Sequence, residues 1–329
     1  MDSFIRAQRN AFVTHAVDRV HSRRWDEAWL QQRLADPATR FIVVWQEQIL
    51  VQDDAMEHLL SLDADAVQRL REACPEAPVD VILLGAVDDV TYFAIGVGDS
   101  CRISGWGAKP AGHFLDLRGA ALSLEPEDGA LAAQAKAMVH WHREHRYCSR
   151  CGSPTQSEEA GHLRRCMNET CAKVHFPRVD PAIIVLVVSG ERCLLGRQPH
   201  WPENRYSNIA GFVEPGESLE TAVAREIWEE AGIEIDSLEY HSSQPWPFPQ
   251  SLMVGFTARA ASTRITLNDH ELQDARWFSR SDIRDGLLAG RLGLPSPYSI
   301  SFHLIEDWFD EGAAGRLKAV LEEAGIVGG

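Results

Sequence analysis

Hydrophobic and polar positions alternate in short runs over residues 1–125. The segments VDVILLGAV and VTYFAIGVG are rich in β-branched and aromatic residues and are bounded by Asp and Gly, which predicts strands joined by turns. Between Gly129 and Arg146, apolar residues instead recur every three to four positions, which predicts a helix. We find no catalytic cluster in 1–125.

Segment 147–176 is rich in Gly, Ser, Arg and Glu and offers few residues for a core. After it, AIIVLVVSGERCLLGRQ has the pattern of a strand, a turn and a second strand. We therefore predict three parts: 1–125, then a linker helix with a cysteine-rich segment over 126–178, then 179–329.

The stretch SQPWPFPQS, residues 243–251, places a Trp and a Phe among three prolines. Proline has a fixed φ and no N–H to donate, so this stretch is predicted to be a stiff loop rather than a helix or a central strand. Its two aromatic rings could cover the core or form a preformed wall for a flat ligand.

The 329 residues are 45% hydrophobic and 24% charged, as in ordinary globular proteins. The net charge of −16 excludes a broad electrostatic surface for nucleic acid, so an RNA partner would be bound locally. The longest strongly apolar run, 182–188, is far shorter than the roughly 20 residues of a membrane helix. With no signal-like amino terminus, we expect a soluble, cytoplasmic protein without a membrane partner.

Four of the seven cysteines lie close together in sequence, in the motifs CSRCG and CMNETC. Two pairs of thiolates can close a tetrahedron around one structural Zn²⁺ per chain, although the second pair has an unusually long spacing. The alternative is four unrelated thiols. We expect the site to brace domains rather than to bind nucleic acid, and we expect Cys74, Cys101 and Cys193 to be reduced thiols. The predicted zinc ligands are Cys148, Cys151, Cys166 and Cys171.

The segment GFVEPGESLETAVAREIWEEAGI, residues 211–233, predicts an amphipathic helix with an acidic arc. Its apolar positions share one face, whereas Glu226, Glu229 and Glu230 fall on another. Like charges at this spacing repel, and Mg²⁺ or Mn²⁺ would neutralise them while bridging to phosphate oxygens. The alternative is a solvated acidic surface, which the Arg and the glycines of the segment disfavour.

This pattern resembles the Nudix box at every position from Gly211 to Ile233. The resemblance implies an α/β fold, an α/β/α sandwich around a mixed sheet, and a hydrolase whose divalent metals polarise a pyrophosphate and help to generate a hydroxide nucleophile. It assigns Glu226, Glu230 and the Ala210 carbonyl to the metals. Glu229 is a further ligand or orients water, and Glu217 and Arg225 form a bracing salt bridge.

The proline-aromatic stretch after the box, together with the cysteines, resembles the NADH pyrophosphatase subfamily. The resemblance makes 1–125 a degenerate Nudix-like domain, 126–178 a helix and zinc ribbon, and 179–329 the catalytic domain. It makes the stretch a wall that binds the nicotinamide mononucleotide half of the substrate. The residues so assigned are Gln244, Pro245, Trp246, Pro247, Phe248, Pro249, Gln250 and Ser251.

The same resemblance assigns five isolated positions. Phe212 stacks on a base or nicotinamide ring, and Phe176 replaces a pocket aromatic that is often Tyr. Glu271 completes the metal site, with a surface Glu as the alternative. Ser301 lies at the substrate edge, and Arg118 reaches a phosphate, with a structural Arg as the alternative.

The implied reaction is hydrolysis of NADH or NAD⁺ to nicotinamide mononucleotide and AMP, with removal of NAD caps from RNA by the same chemistry. The alternatives are a relative that prefers ADP-ribose or dinucleoside polyphosphates, and a non-catalytic nucleotide sensor. The family is commonly homodimeric.

Overall fold

The computed structural model of the chain describes residues 2–52, 58–74, 80–98, 101, 112–268 and 271–326. The α-helices of these residues are α1 (Ser3–Ala7), α2 (Glu27–Leu34), α3 (Ala64–Ala73), α4 (Leu117–Ala120), α5 (Pro126–Glu144), α6 (Leu219–Ala231), α7 (Arg280–Leu288), α8 (Ile300–Asp310) and α9 (Leu317–Glu323). The strands are β1 (Arg40–Trp45), β2 (Gln48–Gln52), β3 (Val81–Val87), β4 (Val90–Val97), β5 (Gly112–Asp116), β6 (Thr155–Glu158), β7 (Leu163–Cys166), β8 (Val174–His175), β9 (Asp180–Ser189), β10 (Arg192–Arg197), β11 (Ile209–Phe212), β12 (Ile235–Trp246), β13 (Ser251–Ala260) and β14 (Asp274–Ser279).

The chain divides into two units that exchange short segments of sequence. The catalytic unit, named after the catalytic domain that the resemblance implies, comprises 1–10, 180–244 and 251–329, and the ribbon unit comprises 11–179 and 245–250. The proline-aromatic stretch is thus split, because 245–250 clusters with the ribbon unit while its flanks belong to the other. No described helix is long and apolar enough to span a membrane.

The ribbon unit contains a five-stranded sheet with the order β3-β4-β1-β2-β5, in which only β1 and β4 run parallel. Alternate residues of β1 enter two cores: Ile42 and Val44 face α5, whereas Phe41 and Val43 face α3. Helix α5, predicted as a linker, is therefore a main covering helix of this sheet. A second, three-stranded sheet, β6-β7-β8, forms the cysteine-rich ribbon.

The catalytic unit is built on a mixed sheet with the order β12-β13-β9-β10-β14, to which β11 adds by pairing with β9. In β9, Ile183 and Val185 pack towards α6, and Ile184 and Leu186 pack towards α8. Strand β13 runs parallel to β9, and β10 runs antiparallel. Helices thus cover both faces, as the predicted α/β/α sandwich requires.

The first ten residues belong to the catalytic unit, not to the first predicted domain. Arg9 forms ion pairs with Glu306 and Asp307 of α8, the latter at 2.5 Å. The Asn10 amide donates to Ser242 Oγ at 3.1 Å and to the Ser243 carbonyl at 3.0 Å. These contacts bridge α8 and β12, so the amino-terminal segment is part of the catalytic unit's packing.

Two cysteines of the ribbon unit correct an expectation from the sequence. Cys74 and Cys101 are paired as a disulfide with Cα atoms 5.4 Å apart, so the expectation that both are free thiols is wrong. Because the two residues are 27 positions apart in sequence, no local pattern predicted this pairing. Cys193 is free and fully buried, as expected of a core thiol.

Candidate active site and metal sites

The acidic helix α6 has well-defined ends. Ser218 caps its amino terminus, where Ser218 Oγ accepts from the Thr221 amide at 3.2 Å and Thr221 Oγ1 accepts from the Ser218 amide at 3.0 Å. Gly232 ends the helix with φ of 64°, a left-handed conformation that favours glycine. The helix position along the sheet is therefore fixed by residues at both ends.

Close contact between β11 and α6 creates the acidic site. A Cβ atom on Gly211 would overlap the Glu226 carboxylate, so a side chain at this position would have to displace that carboxylate. Ala210, whose carbonyl the resemblance assigns to a metal, precedes Gly211 in the same strand. The buried apolar face of α6, with Ala222, Val223 and Ile227, is as predicted and presses the helix onto the sheet.

The three glutamates of the acidic arc differ in exposure. Glu226 and Glu230 are buried, with only 8% and 4% of their surface exposed, whereas the Glu229 side chain is 48% exposed. Burial raises the pKa of Glu226, and the charges of Glu229 and Glu271 add to the rise, although Arg225 acts in the opposite direction. Glu271 is thus close enough to act on this carboxylate electrostatically. A buried carboxylate with unfavourable neighbours is what a divalent cation would stabilise.

Arg225 organises the site through five hydrogen bonds. Two go to Glu217, from Nε at 2.7 Å and Nη2 at 2.8 Å, which lowers the pKa of Glu217 to about 2. Nη1 donates to Glu226 at 2.8 Å and to Glu229 at 2.9 Å, and Nη2 donates to the Phe212 carbonyl at 2.9 Å. The predicted brace is present, and it extends to the acidic arc and to β11.

The structure gives Gln244 an internal position. Its side chain is fully buried, and its Oε1 accepts from the Ile300 amide at 2.8 Å while its Nε2 donates to the Tyr298 carbonyl at 2.8 Å. Gln244 thereby joins β12 to the start of α8. Its role as a substrate ligand stays a prediction, but both ends of its amide are already engaged by the chain.

The 245–250 segment covers part of the core, whereas its role as a wall for the substrate stays a prediction. Phe248 packs against the core of the ribbon unit, with its ring centroid 5.1 Å from Trp246 and 6.3 Å from Phe12. The Arg118 guanidinium lies 3.8 Å from the centroid of the same ring. Pro249 is exposed, and Pro245, Trp246 and Gln250 are half-buried. The segment therefore covers the core and also presents surface to solvent.

Other predicted substrate residues occupy contrasting environments. Phe176 and Phe212 are 67% and 60% exposed, so both rings are accessible. Ser251, half-buried, begins β13 opposite Asp180. Ser301 is buried, and its hydroxyl lies 2.9 Å from Ser207 Oγ.

Sequence reasoning missed Asn208. This residue is buried, and its Nδ2 donates to the Ser301 carbonyl at 3.2 Å. A polar residue directly before β11 was the only available signal.

The four predicted zinc ligands converge in the ribbon. Their sulfur atoms all lie within 4.8 Å of one another, with Cys151 and Cys166 3.4 Å apart and Cys148 and Cys171 3.8 Å apart. Tetrahedral Zn²⁺ with bonds of about 2.3 Å separates its sulfurs by roughly 3.8 Å, so the set fits zinc. Among the described residues, only these cysteines form so tight a group of metal-ligating side chains.

Sequence reasoning also missed the polar anchor of the ribbon within its unit. Arg164 Nη1 lies 2.9 Å from Asp80 Oδ2 and 2.7 Å from His142 Nδ1, while His142 Nε2 donates to the Gly161 carbonyl at 2.7 Å. His162 Nε2 donates to the Leu83 carbonyl at 2.7 Å. These bonds tie the ribbon to α5 and to the β3 edge of the sheet.

Family models match three consecutive parts of the chain. They are described as an NADH pyrophosphatase-like rudimentary NUDIX domain over 38–141, an NADH pyrophosphatase zinc ribbon domain over 143–176 and a NUDIX domain over 178–294. The first of these includes most of α5, in agreement with its packing on the five-stranded sheet.

Individual relatives agree with the family models. Human NAD-capped RNA hydrolase NUDT12 is 40% identical over 200 residues, which are 57% of this chain but only 43% of NUDT12. NAD-capped RNA hydrolase NudC of Mycobacterium bovis is 42% identical over 204 residues, 59% of this chain and 64% of NudC. Human NAD(P)H pyrophosphatase NUDT13, mitochondrial, is 35% identical over 289 residues, 80% of this chain and 79% of NUDT13. Together with the box geometry of β11 and α6, this match shows that the chain belongs to the Nudix hydrolase family, in the branch that combines an NADH pyrophosphatase-like domain with a zinc ribbon.

Proposed function

We propose that the protein hydrolyses the pyrophosphate bond of NADH and NAD⁺, so that NADH and water yield reduced nicotinamide mononucleotide and AMP. The observation that carries this proposal is the pair of buried carboxylates, Glu226 and Glu230, held one helical turn apart against β11. NUDT13, named an NAD(P)H pyrophosphatase, supports the substrate class. NUDT12 and NudC, both named NAD-capped RNA hydrolases, support the NAD cap of RNA as a further substrate.

Glu226, Glu230, Glu271 and the Ala210 carbonyl would hold Mg²⁺ or Mn²⁺. When bound, the cation supplies positive charge that polarises the pyrophosphate and activates water. The chain itself contributes position: Arg225 fixes the Glu226 carboxylate and keeps the exposed Glu229 beside it, where Glu229 can orient water. Oxygen donors of this kind suit hard divalent cations, which supports the assignment.

Accessible aromatic rings support a flat substrate. Phe212 follows Gly211 directly in β11, and its ring is exposed. Stacking on such a ring stabilises a bound base by about 1–3 kcal/mol. Phe176, Ser301 and the 245–251 segment stay predicted substrate contacts. Mg²⁺ or Mn²⁺ as the cation and a homodimeric state are expectations from the resemblance, and a cytoplasmic location is the expectation from the sequence.

Product analysis tests the proposal. Purified protein with Mg²⁺ or Mn²⁺ is incubated with NADH, NAD⁺, ADP-ribose and diadenosine polyphosphate, and products are identified by chromatography and mass. We expect reduced nicotinamide mononucleotide and AMP, with turnover reduced at least about a hundredfold by Glu230→Gln, since one metal-binding charge is lost. Glu220→Gln, an exposed change in the first turn of the same helix, is the matched control.

The alternatives give different outcomes. Faster cleavage of ADP-ribose or of the dinucleoside polyphosphate than of NADH would identify that compound, rather than NADH, as the preferred substrate. A folded protein with no metal-dependent turnover on any of them would favour the nucleotide sensor. The activity on RNA carrying an NAD cap is then compared with the activity on RNA of the same sequence that carries a 5′-triphosphate.

A further inference from the structure

The cysteine-rich ribbon carries a charge opposite to that of the whole chain. Residues 146–179 contain six Lys and Arg side chains against three Glu, whereas the full sequence has 32 basic residues against 48 acidic ones. Of these residues, the proposed hydrolysis uses only Phe176. A local excess of positive charge is what allows an acidic protein to bind a polyanion at one place.

Three of the six cations in the ribbon have no acidic partner. Arg164 and Arg165 are engaged, in ion pairs of 2.9 and 3.0 Å. Within the described part of the chain, three others have no carboxylate at ion-pair distance, and their side chains are exposed. These three are Arg146, Arg150 and Lys173. Their N–H donors are therefore available to an anion, and phosphate oxygens are strong acceptors for such donors.

An exposed aromatic ring lies among these cations. Tyr147 directly follows Arg146 and is 67% exposed, so its ring contributes little to any core. Lys173 Nζ lies 3.1 Å from Ser149 Oγ, which places Lys173 beside the turn that carries Arg150. The four side chains thus surround one turn of the ribbon. We name them the knuckle surface: Arg146, Tyr147, Arg150 and Lys173.

The backbone of this turn is fixed by its own hydrogen bonds. The Cys148 amide donates to the Ser153 carbonyl at 2.8 Å, and the Gly152 amide donates to the Cys148 carbonyl at 2.9 Å. The Arg146 carbonyl accepts from the Thr155 amide at 2.9 Å, which joins the turn to β6. Zinc held by the four thiolates would cross-link it further. A preformed surface loses less conformational entropy when it binds a ligand.

We propose that the knuckle surface binds single-stranded nucleic acid, with the three cations on phosphate groups and Tyr147 stacked on a base. A single strand offers both a row of charges and unpaired flat bases, which matches cations placed around an exposed ring. The proposal departs from the expectation that the ribbon does not bind nucleic acid. RNA is the strand that the proposed function supplies, so the choice of RNA rests on that function, whereas the surface itself does not.

Salt-dependent binding tests the surface. Fluorescence anisotropy follows a labelled 5′-hydroxyl RNA of about ten nucleotides, which has no cap to hydrolyse. The protein is the full chain carrying Glu230→Gln, with its zinc retained and no added Mg²⁺ or Mn²⁺. Three phosphate contacts predict that the logarithm of the association constant falls with the logarithm of the salt concentration with a slope of about −2.

Two variants should separate charge from stacking. Lys173→Ala removes one phosphate contact and should make the slope shallower by about 0.7. Tyr147→Ala should weaken binding roughly fivefold or more and leave the slope unchanged, because the ring carries no charge. Tyr147→Phe keeps the ring and should bind RNA as tightly as the wild type.

Matched controls remove similar side chains elsewhere. Arg69→Ala, at an exposed position of α3, and Tyr240→Ala, at a tyrosine that is 46% exposed, should each change the affinity less than about twofold. Zinc content and thermal unfolding are recorded for every variant, because the alternative role of the cations is to offset the charge of the zinc thiolates. Loss of zinc in Lys173→Ala with unchanged RNA affinity would support that role and overturn the proposal.

Other nucleic acids define the ligand. Absent binding at about 50 mM salt, equal affinities of the wild type and Tyr147→Ala, or tighter binding of duplex than of single-stranded RNA would each overturn the proposal. Tighter binding of RNA than of DNA of the same sequence supports RNA as the ligand, and the reverse order overturns that choice.

Turnover separates this surface from the proposed hydrolysis. In protein with Glu230 intact, Tyr147→Ala should raise KM for NAD-capped RNA about threefold or more and leave NADH hydrolysis unchanged, since NADH has no further nucleotides to stack. Equal effects on both substrates would contradict a separate RNA contact. If the wild type cleaves neither substrate, the proposed function fails, while binding of the 5′-hydroxyl RNA still tests the surface.

Discussion

The Glu226 carboxylate of α6 lies directly against Gly211 of β11 and fills the volume that a side chain at position 211 would need. Glycine at this position, without a positive φ, leaves the Glu226 carboxylate in its place against β11 because of its small size.

Gly211→Ala should lower metal-dependent turnover at least about tenfold, since the added methyl group displaces Glu226. Turnover of NADH and the free energy of unfolding are measured together. Gly293→Ala, in the same unit with no close neighbour to its Cβ, is the control. Wild-type turnover in Gly211→Ala would show that Glu226 can move without cost.

Arg225→Lys should lower turnover about tenfold or more while the chain stays folded. Lysine keeps the charge but cannot make the two bonds to Glu217 and reach Glu226 and Glu229 as well. Arg259→Lys, which changes an exposed pair with Asp236, is the control. If kcat and KM were equal in Arg225→Lys and wild type, the hydrogen bonds of Arg225 would not be needed to position the glutamates for catalysis.

Gln244→Leu distinguishes an internal brace from a substrate ligand. The structure predicts a loss of about 1–3 kcal/mol in the free energy of unfolding, because the buried Ile300 amide and Tyr298 carbonyl lose their partner. Urea unfolding measures it, with the exposed Gln273→Leu as control. Unchanged stability with a raised KM for NADH would instead support the substrate contact that the resemblance implies.

Cys148→Ser should reduce zinc content from about one ion per chain and destabilise the ribbon, since one of four thiolates is lost. Metal analysis of purified protein and thermal unfolding provide the readouts. Cys193→Ala removes a buried thiol outside the cluster and should retain zinc. Full zinc occupancy in Cys148→Ser would contradict the four-cysteine site.

His162 predicts a pH dependence of stability. Burial lowers its pKa to about 4, although the bond to Leu83 acts in the opposite direction. In the unfolded chain His162 has an ordinary pKa of about 6.5, so as the pH falls the unfolded state binds a proton before the folded state does. The contribution of His162 to stability is therefore complete above about pH 6.5 and is lost as the pH falls towards 4.

The free energy of unfolding of the wild type should fall between pH 7 and pH 4.5. In His162→Gln this fall should be about 1–2 kcal/mol smaller. Urea unfolding at both pH values compares it with wild type and with His15→Gln, which changes an exposed residue. Comparison with wild type also cancels zinc loss in acid, which affects both proteins alike. Identical pH profiles would show that the surroundings of His162 do not lower its pKa in solution.

Local patterns predicted the features that depend on neighbours in sequence. The apolar face of α6 and the clustering of the cysteines follow from spacing alone, and the Glu217 to Arg225 brace follows from the box that the segment matches. Pairings between remote residues had no such signal: Cys74 with Cys101, Gln244 with the start of α8, and Arg164 with Asp80. Each depends on how sheets bring distant segments together, which periodicity does not encode.

The exchange of segments between the units has a consequence for synthesis. Arg9 and Asp307 lie 298 positions apart, so the amino-terminal residues emerge from the ribosome long before the helix that holds them. The ribbon unit likewise waits for 245–250, which begin with the last two residues of β12. The ribbon unit is therefore fully synthesised before residues 251–329, whereas the catalytic unit needs both ends of the chain. Separate expression of residues 179–329 would yield a catalytic unit without Arg9 and Asn10, and in the full chain the catalytic unit should complete its packing last.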